Sequence, residues 1–163
     1  MVVMGVTGSG KTTVGEALAR AIPATFVDGD KLHPEANIAK MSAGIPLDDA
    51  DRWPWLAKVG ETLRDRPTPV IVGCSALKGA YRDFITERAG VPVLFIYLDG
   101  SRELISRRMH ERTGHFMPTS LLDSQFATLE VPGKDENVIA VPIDAPLEAI
   151  VADITAKLGE RGS

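Results

Sequence analysis

The chain has 163 residues, of which 44% are hydrophobic and 25% charged, and its formal net charge is −4 at pH 7. This composition excludes an intrinsically disordered chain, and the acidic balance argues against a general nucleic-acid-binding surface. The longest apolar run, residues 91–98, falls far short of the ~18 residues of a membrane-spanning helix, and the single cysteine, Cys74, excludes an internal disulfide, so we expect a cytoplasmic protein with no membrane or nucleic-acid partner.

The predicted elements alternate between strands and helices along the chain. Short apolar or β-branched runs predict five buried strands, at residues 2–5, 25–28, 69–73, 93–98 and 138–141. Apolar residues at helical spacing predict helices around Val14, Leu18 and Ile22, around Leu56, Val59 and Leu63, and around Leu147, Ile150 and Ile154. Further helix starts are predicted at Ser101, Pro118-Thr119 and Pro146. Strands joined by helical crossovers predict an α/β fold, a three-layer arrangement around a five-stranded parallel sheet, and we expect residues 1–163 to form one domain.

A glycine-rich motif lies between the first predicted strand and the first predicted helix. Residues Gly5–Thr12 read GVTGSGKT and match the pattern G-x-x-x-x-G-K-[ST], the P-loop. Backbone N–H groups of such a turn converge on phosphate oxygens, and the positive end of the following helix adds to the attraction. The motif predicts a P-loop NTPase fold in which Lys11 contacts the β- and γ-phosphates and the Thr12 hydroxyl binds Mg²⁺. The predicted nucleotide-binding residues are Gly5, Thr7, Gly8, Ser9, Gly10, Lys11, Thr12 and Thr13.

Two carboxylates follow the second predicted strand, Asp28 and Asp30, with Gly29 between them. Ligands of open α/β sheets bind beyond the carboxyl ends of the strands, so both acids are expected near the phosphate site. Phosphoryl transfer to an alcohol needs a carboxylate that contacts the attacking hydroxyl, and often another on the metal side. We assign Asp30 as the candidate base and Asp28 as the candidate metal ligand. The alternative is a strand-end turn in which an aspartate caps the next helix.

Further segments carry a family resemblance. They are Asp28–Pro34, Asn37, Lys40–Met41, Gly44–Leu47, Asp51–Leu56, Cys74–Lys78, Tyr81–Asp83, Gly114–Phe116 and Ser124–Phe126. This set resembles the gluconate kinase family of the shikimate-kinase-like P-loop group, from residue 3 to about residue 154. The resemblance implies ATP-dependent phosphorylation of the 6-hydroxyl of D-gluconate with ATP and Mg²⁺ as cofactors, and it suggests a homodimer.

A sugar-acid substrate requires residues that bind its carboxylate and hydroxyl groups. The substrate-binding candidates are Asp30, His33, Arg52, Gly73, Lys78, Arg82 and Gln125. The fork of Arg52 suits a carboxylate, although nearby aspartates also fit a local salt bridge. Lys78 and Arg82 are spaced i, i+4 on a predicted helix, which favours one positive face near the sheet edge or an ordinary solvated face. Gly73 resembles the glycine of the shikimate kinase substrate loop, and His33 fits either a substrate contact or a structural hydrogen bond.

A lid is expected around residues 108–130. Arg108 and Arg112 are spaced i, i+4 on the helix that leads into Gly114–Pro118. By resemblance, Arg108 binds the nucleotide and Arg112 is a catalytic residue, with Lys11 and Asp30, at the transferring phosphates. An arginine on a closing lid neutralises developing charge and excludes water.

Two other functions remain open at this stage. One is a kinase of another small hydroxy acid such as shikimate. The other is a nucleotide-switched binding module, which predicts negligible turnover with any small alcohol. The paired carboxylates after the second strand favour an enzyme.

Overall fold

The computed structural model describes residues 1–67, 69–113 and 119–161, with the backbone alone at residues 112, 113 and 119–121. The strands are β1 (Val2–Met4), β2 (Thr25–Asp28), β3 (Val70–Gly73), β4 (Phe95–Asp99) and β5 (Val138–Pro142). The α-helices are α1 (Lys11–Ala21), α2 (Glu35–Ser42), α3 (Asp49–Asp65), α4 (Gly79–Ala89), α5 (Arg102–Thr113), α6 (Thr119–Thr128) and α7 (Leu147–Arg161), and Gly29–Leu32 forms a short 3₁₀ helix.

The strands form one parallel sheet in the order β2-β3-β1-β4-β5. The chain leaves the central strand β1 toward one edge and later returns to build the other edge. Strand order therefore reverses at β1, and in open α/β sheets the crevice beyond such a reversal is where ligands bind. The glycine-rich motif follows β1 directly, at this crevice. The predicted α/β fold with a five-stranded parallel sheet is confirmed.

Alternate residues of the strands face two separate layers of helices. Val3 and Ile96 belong to a core with α1, α5, α6 and α7, whereas Val2 and Val72 belong to a core with α3 and α4. Both faces of the sheet are covered, as expected for short strands without polar alternation. No helix in the described ranges could cross a membrane.

Element boundaries differ from the prediction by one or two residues. β4 begins at Phe95 rather than at residue 93, because the Val93 carbonyl accepts a hydrogen bond from the Asn137 side chain at 3.0 Å. α7 begins at Leu147, and Pro146 precedes it. The helix start at Ser101 is confirmed, since its Oγ accepts from the Leu104 N–H at 3.1 Å.

Gly15 of α1 provides a test of how the first helix packs on the sheet. A Cβ at Gly15 would lie 2.3 Å from Cε1 of Phe26 on β2. Gly15→Ala should therefore destabilise the protein by about 1–3 kcal/mol, because overpacking outweighs the better helix propensity of alanine. Urea unfolding measures the loss.

The matched control is Gly159→Ala on α7, where a Cβ meets no atom of the described residues within 4 Å. That variant should gain up to about 1 kcal/mol. Equal effects of the two substitutions would show that helix propensity alone decides both.

Candidate active site

The turn from β1 to α1 has the backbone geometry that the glycine-rich motif predicts. Gly8 and Gly10 have φ angles of 85° and 96°, a region that side chains rarely adopt. A Cβ at Gly8 would also lie 3.0 Å from Cγ of Met109 on α5. Gly10 is the N-cap of α1 and provides no side-chain cap. The N–H groups of the first turn of α1 are therefore not capped by this residue, and the helix N-terminus favours an anion.

The Lys11 side chain lies across the inner surface of this turn. Its Nζ donates to the carbonyl oxygens of Gly5 at 3.0 Å and Val6 at 3.2 Å. Burial lowers the pKa of Lys11, and the negative charges of Asp30 and Asp28 oppose that shift. The ammonium group thus lies between the phosphate-binding turn and the two acids that follow β2.

The two acids after β2 have different surroundings. The Asp28 carboxylate accepts from the Asp30 N–H at 3.0 Å and caps the 3₁₀ helix, as an Asp-Gly-Asp turn favours. Asp30 is exposed and lines the main cleft. A Cβ at Gly29 would lie 2.2 Å from the Gly73 carbonyl oxygen, so the ends of β2 and β3 can approach this closely only with glycine. Trp55 Nε1 donates to the Gly29 carbonyl at 2.8 Å and fixes the same turn from α3.

A cleft of about 450 Å³ opens beside the motif and the two acids. The predicted site residues that line it are Thr7, Gly8, Gly10, Lys11, Thr12, Thr13, Asp30, His33, Arg52 and Gln125. Residues that the sequence analysis did not assign to the site also line it, namely Met41, Leu47, Trp55 and Ser75. Gly5, which follows β1, and Gly73, which ends β3, do not line the cleft, but the Gly5 N–H donates to the carbonyl of the lining residue Ser75 at 3.3 Å.

His33 is held by two neighbours in this cleft. Its ring stacks on Trp55 with centroids 4.2 Å apart, and its Nδ1 lies 3.1 Å from Nδ2 of Asn37. Since the Asn37 amide donates here, the neutral His33 ring has its proton on Nε2. Burial lowers the pKa of His33, opposed by the charge of Asp30 and assisted by that of Arg52. His33 therefore favours the neutral form, with Nε2–H as a donor.

Arg52 brings positive charge to the wall of the cleft. Its Nη1 lies 3.4 Å from Oδ1 of Asp49 and donates to the Tyr81 hydroxyl at 3.2 Å. Lys78 Nζ lies 3.4 Å from Oδ2 of the same Asp49. The Tyr81 hydroxyl donates to Asp49 as well. We call Asp49, Arg52, Lys78 and Tyr81 the anion cluster, because the other three side chains surround the anionic Asp49 carboxylate.

The helices beyond the cleft approach the motif from two sides. Oε1 of Gln125, on α6, accepts from the Thr7 N–H at 3.1 Å and the Thr7 hydroxyl at 3.2 Å. Arg108, on α5, donates to the Ala145 carbonyl at 3.3 Å and lines a second cavity of about 280 Å³. Ser9 contributes to this second cavity, and its buried hydroxyl has no hydrogen-bond partner among the described residues. Arg112 is placed by its backbone alone, and residues 114–118 lie outside the described residues.

The expectation that Arg82 shares a positive, exposed face with Lys78 is wrong. Arg82 is only 2% exposed. Its guanidinium donates to Glu136 at 2.7 Å, to the Ala76 carbonyl at 2.8 Å, and to the Glu130 carbonyl at 3.0 Å. The physical reason is that α4 packs against the loops around it. The cation is therefore surrounded by carbonyl oxygens and one carboxylate, and it does not reach the cleft.

Cys74 is fully buried behind the cleft. Desolvation raises the pKa of its thiol to about 12, so the thiol is protonated at neutral pH. Cys74 therefore acts as a small buried residue of the core.

The residues that the sequence analysis missed come from segments far from the motif. Ser75 follows the end of β3, and position alone could have indicated it, since strand ends line the crevice. Neither Asp49 nor Tyr81 follows a strand end, so their position along the chain does not indicate that they belong to the site. They meet because α3 and α4 pack side by side, which only the tertiary structure shows.

This fold and this site define a kinase of the P-loop class. An AAA-domain family model matches residues 1–132. Structures at low identity share the fold, including a shikimate kinase from Aquifex aeolicus at 18% identity and a TM-score of 0.58.

Closer relatives identify the family. The chain is 50% identical to a gluconokinase from Gluconobacter oxydans over 86% of this chain and 80% of that one. It is 48% identical to the thermoresistant gluconokinase of Escherichia coli over 93% of this chain and 88% of that one. A crystal structure of a gluconokinase from Sinorhizobium meliloti superposes with a TM-score of 0.91 at 53% identity, covering 98% of this chain and 90% of that one. The chain belongs to the gluconokinase family, and the resemblance seen in its sequence is confirmed.

The buried position of Arg82 predicts a large cost on its removal. Arg82→Met leaves Glu136 and the Ala76 carbonyl without their partner, so we expect a loss of about 3–5 kcal/mol in unfolding free energy. Arg88→Met on the same helix is the control, because Arg88 forms a solvent-exposed pair with Glu61 and should contribute less than about 1 kcal/mol. Similar losses in urea unfolding for both variants would contradict this account of Arg82.

Proposed function

We propose that this chain transfers the γ-phosphoryl group of ATP to the 6-hydroxyl of D-gluconate, giving 6-phospho-D-gluconate and ADP. The observation that supports this most directly is that Lys11, Asp30 and Arg52 line one cleft. The first residue suits a phosphate, the second an alcohol and the third a carboxylate. Membership of the gluconokinase family supports the same substrate.

The nucleotide lies, in this proposal, along the β1–α1 turn. The backbone N–H groups of the turn hold the β-phosphate, and the Lys11 ammonium moves from the Gly5 and Val6 carbonyls to the β- and γ-phosphates. The second cavity, between the motif and the start of α7, accommodates the base beside Arg108. Arg112 acts at the transferring phosphoryl group as the family resemblance implies.

Thr12 and Asp28 are the residues we propose to hold Mg²⁺. Their hydroxyl and carboxylate oxygens are the ligands that this ion prefers, and Mg²⁺ at kinase sites is held by few protein ligands together with substrate phosphates and water. The ion supplies charge neutralisation at the phosphates when bound.

Phosphoryl transfer then depends on how the alcohol is held. Asp30 accepts a hydrogen bond from the 6-hydroxyl and takes its proton as the hydroxyl oxygen bonds to the γ-phosphorus. The bond from that phosphorus to the bridging oxygen breaks, and ADP leaves with its new charge stabilised by Lys11 and the N–H groups of the turn. Trp55 fixes the backbone of the turn through the Gly29 carbonyl, so the main chain that carries Asp30 is positioned before substrate arrives.

The rest of the sugar acid contacts the opposite wall. Arg52, which lines the cleft, and Lys78, which lies outside the lining but contacts the same Asp49, bind the carboxylate. His33 and Gln125, which also line the cleft, bind hydroxyl groups. Gly73 contributes through the backbone at the end of β3. Arg82 is not among the proposed contacts, because it is buried behind them.

Two alternatives to gluconate phosphorylation were open, a kinase of another small hydroxy acid such as shikimate and a nucleotide-switched binding module. Membership of the gluconokinase family does not favour either of them. A homodimer, a cytoplasmic location and lid motion around residues 108–130 stay predictions. Size-exclusion chromatography with light scattering tests the first of these.

A substrate scan tests the proposed function. We expect the purified chain to consume ATP with D-gluconate and to show little turnover with D-glucitol, which lacks the carboxylate, or with shikimate. A coupled assay of ADP release measures the rates, and phosphorus NMR of the product identifies the phosphorylated position. The proposal would be excluded if the chain turned over shikimate and not D-gluconate, or if it turned over none of the acceptors tested.

The proposed role of Asp30 as the base is tested by replacing its carboxylate with the isosteric amide. Asp30→Asn should lower kcat by about two to four orders of magnitude, because the amide cannot accept the hydroxyl proton. ATP affinity should stay close to that of the unmodified chain, since the side chain faces the alcohol. A parallel loss of ATP binding in calorimetry would show that Asp30 belongs to the nucleotide site instead.

A further inference from the structure

In the anion cluster, the Asp49 carboxylate contacts the two cations that the proposed function assigns to the carboxylate of the substrate. Asp49 is contacted by Arg52, Lys78 and the Tyr81 hydroxyl at once. Arg52 also lines the cleft that holds Asp30. Two cations and a phenol around one carboxylate are what a binding site for a substrate carboxylate would provide.

Asp49 is not needed to start its own helix. The capping box of α3 is formed by Asp48 and Asp51, whose side chains accept from each other's backbone N–H at 2.8 and 3.0 Å. Lys40 pairs with Asp51 at 2.8 Å and completes this arrangement. Asp49 lies at the first position of α3 between these two residues, and its side chain is 47% exposed. The capping box therefore does not use the Asp49 carboxylate, whose contribution to the helix start is limited to its charge in the first turn.

The contacts to Asp49 are also of a kind that can exchange. Its distances to Arg52 and Lys78 are both 3.4 Å, longer than the 2.7 Å of the buried Arg82–Glu136 pair. All members of the cluster keep some solvent access except Tyr81, which is buried. Half-exposed pairs at such distances are weak. Another carboxylate could replace Asp49 at the two cations without moving the fold.

We infer that Asp49 is an internal competitor for the substrate's carboxylate, occupying Arg52 and Lys78 until a sugar acid displaces it. This inference rests on the proposed function, because it takes a hydroxy-acid substrate as given. Asp49 is then a specificity-determining residue. It keeps the two cations paired in the free protein, and only a ligand that also contacts the rest of the cleft displaces it.

The charge state of Asp49 agrees with this role. The Tyr81 hydrogen bond, together with the charges of Lys78 and Arg52, lowers the pKa of Asp49, so its carboxylate is ionised at neutral pH. Small anions must therefore compete with a tethered carboxylate of the same charge. A sugar acid gains further contacts through its hydroxyl groups, which a small anion cannot make.

The test is a kinetic comparison of Asp49→Asn with the unmodified chain. The amide removes the negative charge and keeps the size of the side chain. We expect the KM for D-gluconate to fall about three- to tenfold, with kcat changed less than about twofold, because the cations lose a competing partner. Acetate, a carboxylate without hydroxyl groups, should inhibit the variant at a lower concentration than the unmodified chain, by a similar factor.

The control is Asp65→Asn at the other end of α3. Asp65 is exposed, pairs with Arg64, and lies about 24 Å from Asp49 along the helix, so it should change neither the KM nor the inhibition by acetate. Asp49→Ser is a second variant, with a side chain too short to span the cluster, and it should shift both quantities in the same direction as Asp49→Asn.

The outcomes separate this inference from the proposed function. A higher or unchanged KM in the Asp49 variants, with the unmodified chain active on gluconate, would show that Asp49 braces the cations or does not act on them, and the inference alone would fail. Absence of gluconate turnover in the unmodified chain would instead overturn the proposed function.

Discussion

The β1–α1 turn must present backbone N–H groups to a polyanion in a chain whose own net charge is −4. This requirement constrains the rest of the site. Positive φ angles at Gly8 and Gly10 orient the turn, and the contact of Gly8 with α5 leaves no room for a side chain. Because the turn follows the central strand, every neighbouring strand ends beside it, and residues after β2 and β3 reach the same crevice without long loops.

A second close approach decides where Asp30 lies. The Gly29–Gly73 contact brings the ends of β2 and β3 together, and the hydrogen bond from Trp55 fixes the 3₁₀ turn that positions Asp30. Asp28 is directed into the same turn as its cap. One short segment thus carries two identical side chains, of which Asp28 caps the turn through one of its oxygens and Asp30 lines the cleft. The same Trp55 ring stacks on His33, so a single buried indole organises two polar groups of the site.

The sequence predicted what is local and missed what depends on packing. The strands, the motif and Asp30 follow from short patterns whose structural consequence is fixed by the neighbouring residues. Arg82 shows the limit: helical spacing correctly placed it on α4, one turn from Lys78, but could not tell which side of that helix faces solvent. Its partners Ala76, Glu130 and Glu136 lie in loops that meet only in the folded chain. The anion cluster likewise joins the start of α3 to α4, and charge counting near Arg52 identified a salt bridge without showing that Lys78 and Tyr81 share its carboxylate.

Arg82 also helps to hold the segment that follows α6. Gln125 contacts Thr7 of the phosphate-binding turn, and just beyond the helix the Glu130 N–H donates to the Leu77 carbonyl at 2.8 Å. The Arg82 guanidinium bonds the carbonyls of Glu130 and Ala76, the latter in a left-handed conformation that costs energy for a residue with a Cβ. The buried cation thereby stabilises the loop that leads to Lys78 and ties it to the end of α6. The glycine-rich turn and the loop that leads to Lys78 are therefore joined through the C-terminal part of α6 and the residues that follow it.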